Sequence, residues 1–267
     1  MKTQLRRRAR RMMEAAGVIG IYYRWRERRA IHTPVERADD GLPMPPRELI
    51  MIVAGTNGQP SWFSAEGRRD AERFQALARA HGVDFDKPTT VLDFGCGVGR
   101  IARWLAPQVI AGGGRFHGSD VNPRLVRWCQ ANLDGEFTEN RLTPPLGLSD
   151  ATFDLIYAHS VLTHLREDTA RAWLDELARV LKPGGVALLT FHDENYAERW
   201  GPPEARTGLE GADYVVVNNA LEGSNYMSAW TTRAHFTKIA GRVFEVAQIE
   251  PGGLDHPRQA TAVLRKP

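Results

Sequence analysis

Thr90-Val91-Leu92-Asp93-Phe94-Gly95-Cys96-Gly97-Val98-Gly99-Arg100, followed by Ile101-Ala102-Arg103-Trp104-Leu105, is the stretch on which the fold turns. A β-branched and apolar run ends in a carboxylate, three glycines alternate with other residues, and apolar positions at helical spacing begin at once. The pattern reads as strand, tight turn, helix. Glycine suits such a turn because the backbone angles would be hindered by a Cβ and because main chain must come close to a ligand. A nucleotide-like guest across the turn is expected. A dinucleotide fold would use Gly-x-Gly-x-x-Gly, with helix amides facing a pyrophosphate. Here the spacing is Gly95-x-Gly97-x-Gly99 with Asp93 just before it, and a carboxylate beside the ligand repels a pyrophosphate but suits an ammonium.

Downstream the alternation of strand and helix continues. Gly112-Gly113-Gly114 leads into Arg115–Asp120, a second strand ending in an acid at the distance where such folds bind ribose hydroxyls. Asn122 and Pro123 supply an N-cap and a first-turn proline for the next helix. Phe137 marks a third strand, Phe153–Ala158 a fourth, and Asp168–Leu181 a helix with Trp173, Leu174, Leu177 and Val180 toward the sheet. Lys182-Pro183-Gly184-Gly185 turns into strand Val186–Phe191. The chain closes with a helix at Arg233–Ala240, a strand at Arg242–Glu250, a turn at Pro251-Gly252-Gly253 and a last strand at Ala260–Arg265. Upstream, Ser64 reads as the N-cap of a helix through Phe74, Leu77 and Ala78 that stops near Gly82. The type of the apolar element Leu49–Gly55 is open.

The glycine turn, the acid-ended second strand, the fourth strand running into His159-Ser160-Val161-Leu162-Thr163-His164-Leu165, and Arg179-Val180-Leu181-Lys182-Pro183-Gly184-Gly185 stand in the order seen in class I S-adenosylmethionine-dependent methyltransferases, which the chain resembles over its latter two-thirds. The resemblance implies an α/β, Rossmann-like, seven-stranded and mostly parallel sheet with helices on both faces and an antiparallel last strand inserted inside the edge. It implies S-adenosylmethionine as cofactor and S-adenosylhomocysteine as product, bound by Asp93, Gly95, Cys96, Gly97, Gly99, Arg100, Asp120, Val121, Asn140, Leu142 and His159. Many members place an aspartate against the adenine amine. None stands here before Asp150, so Asn140 or a main-chain group has to serve. The segment after the fourth strand is not the Asn-Pro-Pro-Tyr type used on exocyclic base or glutamine amines. Pro45–Ile50, Ser160–Leu165 and Val263–Pro267 together resemble bacterial methyltransferases of glycan or glycolipid assembly.

Methyl transfer from a sulfonium mainly requires an acceptor lone pair held in line. An amine need only arrive unprotonated, whereas a hydroxyl gains from a base, for which histidine is suited. The candidates are His159, then His192, then His164. His192-Asp193-Glu194 does not read as a metal site, since three adjacent residues cannot converge on one centre. The acceptor expected is a hydroxyl of a small molecule, sugar or glycolipid. The rivals are a small-molecule N-methyltransferase, a nicotinamide-dependent oxidoreductase disfavoured by the glycine spacing, and a non-catalytic S-adenosylmethionine-binding protein.

At 267 residues with 42% apolar and 25% charged side chains the chain can bury a full core. Two cysteines, Cys96 and Cys129, are too few for a disulfide framework, and a reducing, cytoplasmic setting is expected. The net charge of +3 is unevenly spread: residues 1–30 carry ten basic and two acidic side chains, +8, against −5 for the remainder. Leu5, Ala9, Met12, Ala16, Ile19 and Tyr23 at spacings of three and four make this a basic amphipathic helix, without a secretory cleavage pattern, that either packs on the body or touches an anionic membrane; nucleic acid is the least favoured partner. The expected organisation is therefore residues 1–47 as basic helix and Pro-rich linker and 48–267 as methyltransferase domain. Within that domain, 48–88 form an N-terminal cap, and the aromatic-rich segment 192–231 is a substrate-recognition insertion.

Overall fold

The computed structural model describes residues 37–54 and 58–267. The basic helix expected over residues 1–30 lies outside them. Two helices come first, α1 (Arg47–Ala54) and α2 (Pro60–Ala80). The open apolar element is thus helical, and α2 begins earlier than Ser64: Gln59 is its N-cap, Pro60 opens the first turn, and Ser64 is buried inside. Proline with its fixed φ at a helix start outweighs an internal serine as a start signal.

The alternation then runs β1 (Thr90–Phe94), α3 (Ala102–Ala111), β2 (Arg115–Asp120), α4 (Pro123–Asn132), β3 (Glu136–Glu139), β4 (Phe153–Ala158), α5 (Glu167–Val180) and β5 (Leu181–Phe191). After β5 come α6 (Glu194–Trp200), α7 (Pro203–Leu209), a separate antiparallel hairpin of β6 (Tyr214–Val217) and β7 (Ser228–Thr231), α8 (Arg233–Ala240), β8 (Glu245–Glu250) and β9 (Ala260–Arg265). The main sheet has seven strands in the order β3-β2-β1-β4-β5-β9-β8. The first five pair in parallel, while β9 is antiparallel to both neighbours and sits inside the edge strand β8. This is the sheet the motif order implied.

Period two accounts for the layering. Leu92 and Phe94 of β1, Ile156 and Ala158 of β4, and Ala187 and Leu189 of β5 face one side, against Trp173 and Leu174 of α5 and Phe236 of α8. Val91, Leu155, Tyr157, Val186 and Leu188 face the other, against Phe74 of α2, Leu105 of α3 and Val126 of α4. Strands buried on both faces are mainly apolar, and in these the polar residues, such as Thr90, Asp93, Asp154 and Thr190, fall toward the strand ends. Helix α3 continues past Pro107 to Ala111. The strand order reverses at β1, which pairs with β2 on one side and β4 on the other. Such a switch point opens a crevice at the carboxyl ends of the strands.

Candidate active site

The crevice is a cavity of about 830 Å³. That is near the upper end of the range of roughly 300–1,000 Å³ for small-molecule sites. Its floor is the turn after β1. Gly95, Gly97 and Gly99 have φ of +77°, +57° and +73°, a region costly for any side chain. At Gly95 a Cβ would also lie 2.1 Å from Val161 Cγ2, so the turn is closed to substitution twice over. The Gly95 and Cys96 amides both donate to the Ser119 carbonyl, at 2.8 and 2.9 Å, and tie the turn to β2.

Asp120, at the end of β2, accepts from the Gly97 amide through Oδ2 and from the Asn122 amide through Oδ1, each at 2.8 Å. Burial nevertheless pushes its carboxyl above the usual range. Each oxygen keeps a lone pair, enough for two ribose hydroxyls. Asn122 in turn caps α4 through the Arg124 amide at 3.0 Å. Asn140 hangs from the Asp120 carbonyl by its own amide, at 3.0 Å. Its side-chain Nδ2 donates to the Arg141 carbonyl, at 2.7 Å, whereas Oδ1 is buried with no partner among the described residues. A buried orphan acceptor at the cavity wall suits the adenine amine. Val121 and Leu142 add apolar lining beside it.

Asp93 is 3% exposed. Burial is the main reason its carboxyl is pushed up to about 7; Asp120 pushes the same way, while the Tyr157 hydroxyl and Arg100 oppose it. The Tyr157 hydroxyl lies against the carboxyl but outside full hydrogen-bond geometry and is otherwise unpartnered. A buried acid short of compensating charge accommodates the ammonium of an amino acid moiety. Cys96 contributes main chain to the cavity rather than a reactive thiol. Its Sγ and that of Cys129 both reach the Gly97 carbonyl, at 3.7 and 3.6 Å, and the neighbouring Cys129 together with burial holds the Cys96 thiol well above its ordinary value.

The residues above fit S-adenosylmethionine at its ribose, its adenine and its amine. Away from the adenosine contacts the cavity is different. Arg100, near enough to Asp93 to act on its carboxyl, is drawn toward Asp70 and His159: one guanidinium nitrogen donates to Asp70 Oδ2 at 2.7 Å and another to His159 Nδ1 at 3.2 Å. His159 Nε2 lies 3.4 Å from the same Asp70 oxygen, so both ring nitrogens of His159 are engaged. Burial lowers its pKa to about 4.

His164 and His192 share another arrangement. His164 Nδ1 donates to the Met227 carbonyl at 2.6 Å and His192 Nδ1 to the Ala229 carbonyl at 3.1 Å. Both carbonyls belong to the segment leading into and along β7, and they fix the tautomer that leaves Nε2 as an acceptor. His192 Nε2 meets Gln259 Nε2 at 3.3 Å; His164 Nε2 meets Ser160 Oγ at 3.4 Å. Gln259 also donates to Ser160 Oγ at 2.8 Å and accepts from Thr190 Oγ1 at 2.6 Å. Burial lowers both imidazoles, His192 to about 3. Ser160, which joins the network, adopts φ +62°, a strained angle for serine.

Sequence reasoning missed Asp70, Gln259, Asn225 and Tyr157. Asn225 Nδ2 donates to the carbonyls of Ile52 and Val53 (2.7 Å to the latter), so the segment before β7 caps the last turn of α1 over the cavity. Asp193 and Glu194 are spent on structure. Asp193 accepts from the Tyr196 and Gly252 amides, and Glu194 pairs with Arg233.

Residues 91–185 match the family described as "Methyltransferase domain". A curated relative is the 2-methyl-6-phytyl-1,4-hydroquinone methyltransferase of Synechocystis sp., 27% identical over 58% of this chain and 54% of its own length. Another is the norajmaline N-methyltransferase of Rauvolfia serpentina, 23% identical over 67% of this chain and 63% of its own. A similar solved fold is that of Burkholderia thailandensis 1,6-didemethyltoxoflavin-N1-methyltransferase, crystallised with 1,6-didemethyltoxoflavin and S-adenosylhomocysteine. It shows a TM-score of 0.55 at 17% identity, covering 81% of this chain and 84% of that one. Sheet order and glycine turn are those of the class I S-adenosylmethionine-dependent methyltransferase fold, and residues 91–185 match a methyltransferase domain. The glycine turn, Asp93, Asp120 and Asn140 fit S-adenosylmethionine as the group this domain would hold. The chain spans about half the length of the curated relatives it matches.

Proposed function

We propose that the protein transfers a methyl group from S-adenosylmethionine to a hydroxyl of a small-molecule, sugar or glycolipid acceptor. When bound, the cofactor supplies an electrophilic methyl on a sulfonium. The chain's residues then have three tasks. Asp93, Asp120 and Asn140 hold the amine, ribose and adenine, while the glycine turn lets main chain lie close to the amino acid part. The network of Ser160, Thr190 and Gln259 fixes the strand ends against which the acceptor rests. A neutral imidazole takes the hydroxyl proton as the new bond forms.

The observation that carries the reading is the pair His164 and His192, each with Nδ1–H given to a backbone carbonyl and Nε2 left as an acceptor on a residue lining the cavity. Burial disfavours the charged form of both rings, leaving them in the neutral state a general base needs. His159 works differently on this reading: clamped between Arg100 and Asp70, it positions the turn rather than receiving the proton. Segment 192–231 supplies the cover over the acceptor, and α1 and α2 the opposite wall. An amine acceptor is the second reading, favoured by the N-methyltransferase relative.

The deciding experiment is methyl transfer from labelled S-adenosylmethionine with His164→Gln, His192→Gln and His159→Gln. The hydroxyl reading expects kcat to fall by about 10²–10⁴ for one of the first two, the usual contribution of a general base. If all three variants keep wild-type kcat, the amine reading replaces it.

A further inference from the structure

We infer that the acceptor carries an oxyanion, a carboxylate or a phosphate, held by guanidinium groups of α2 and the β8–β9 connection at the end of the cavity away from the adenosine contacts. This rests on the methyltransferase reading and names the substrate class it would take.

One face of α2 carries Glu66, Arg69, Asp70 and Arg73 at spacings of three and four, and all four line the cavity. In the sequence such a run looks like a solvated helix face. Here it faces the space between Arg100 and His159 on one side and the β8–β9 connection on the other. Arg69 reaches His256 Nε2 at 3.2 Å and Glu66 at 2.9 Å, and Arg73 pairs with Glu250 at 2.5 Å. Arg100 is taken by Asp70. Arg258 also lines the cavity and has no ion-pair partner among the described residues. Carboxylates therefore answer every guanidinium at this end except one.

The location ties this charge to the acceptor. Arg258 adjoins Gln259, whose amide bonds Ser160 and His192, and Arg100 touches His159 at the end of β4. Asp120 and Asn140 serve the other end. The Arg69 side chain is 58% exposed and its partner Glu66 22%, so Glu66 keeps contact with water when Arg69 turns toward an entering anion. Arginine's planar fork matches a carboxylate or phosphate with paired hydrogen bonds, which a lysine cannot do.

The test is calorimetric titration of the full chain saturated with S-adenosylhomocysteine. The probes are benzoate against benzamide, and inorganic phosphate against chloride at equal ionic strength. Benzoate or phosphate is expected to bind and its control not to, the stronger of the two identifying the anion. Arg258→Gln and Arg69→Gln should each weaken that binding by about tenfold, the usual loss of a charged hydrogen bond, while Arg258→Lys recovers part of it and S-adenosylhomocysteine affinity stays constant. Equal binding of benzamide and benzoate, no binding of any probe, or an unchanged affinity in both glutamine variants would overturn the inference. Absence of heat with S-adenosylhomocysteine itself would instead overturn the methyltransferase reading beneath it.

Discussion

The two ends of the cavity are built on opposite plans. At the adenosine end, ligand groups come from one continuous stretch, Asp93 to Asn140, with each acid at a strand end and each amide aimed by the turn after it. At the acceptor end, Asp70, Arg100, His159, His192 and Gln259 come from five separated segments, joined by contacts such as Ser160 to Gln259, 99 residues apart. Local geometry fixes the first, so it depends on backbone conformation. Long-range packing fixes the second, so it depends on side chains that can be exchanged one at a time. Substitutions at the two ends should therefore differ in kind: loss of fold or cofactor at one, loss of turnover or selectivity at the other.

The largest effect tests the backbone-dependent end. Gly95→Ala combines a left-handed residue with a Cβ 2.1 Å from Val161. It should lower stability by about 2–4 kcal/mol in urea unfolding. A wild-type midpoint would show that the turn is looser than its geometry. Next, Asp120→Ala removes the acceptor for two backbone amides as well as the ribose site. S-adenosylhomocysteine binding should weaken by about 10²-fold in calorimetry, with a folded far-ultraviolet spectrum retained.

At the acceptor end His159→Gln sharpens the contrast. It should leave kcat within about threefold while weakening the clamp on Asp70 and Arg100, whereas His192→Gln or His164→Gln lowers kcat steeply. The acid side of stability follows the same residues. His159 and His192 have folded pKa values of about 4 and about 3, below the ordinary 6.5. The unfolded chain therefore binds these protons first, and stability present above about pH 6.5 is lost as pH falls toward 4. Replacing His192 with Gln should flatten that loss in pH-dependent urea unfolding. The smallest effect is expected for Asn140→Ala, which removes one adenine contact and should cost about 1 kcal/mol of S-adenosylhomocysteine binding.

The same division explains what could be read before folding. Strand order, the glycine turn and the placing of Asp93 and Asp120 on the cavity wall were legible because they are written at short, fixed spacings. Even Asn140 could be named as a substitute for the absent aspartate, and its unpartnered Oδ1 supplies the reason it can serve. Asp70 could not be found, because on a helix with Glu66, Arg69 and Arg73 an acid looks like solvent-facing charge. Gln259 sits ahead of the last strand with no motif around it and acquires meaning only when β9 inserts beside β5. The ranking of histidines was beyond the sequence for the same cause. Which partner each ring nitrogen meets depends on Met227, Ala229 and Arg100, none of which is near in the chain to the ring it holds. The start of α2 at Pro60 rather than Ser64 was a local misreading, since both residues are plausible starts and only the burial of Ser64 separates them.

Asp93 offers the most direct test that the buried acid grips the cofactor's amine. Its carboxyl is held near 7 in the free protein, so a bound ammonium must draw it into the charged form. Calorimetric titration with S-adenosylhomocysteine across pH should therefore show affinity rising by about tenfold between roughly pH 6 and 8 in the wild type. Asp93→Asn should bind weakly and with no such slope. A flat wild-type profile, or an identical slope in Asp93→Asn, would contradict the assignment of that end of the cavity.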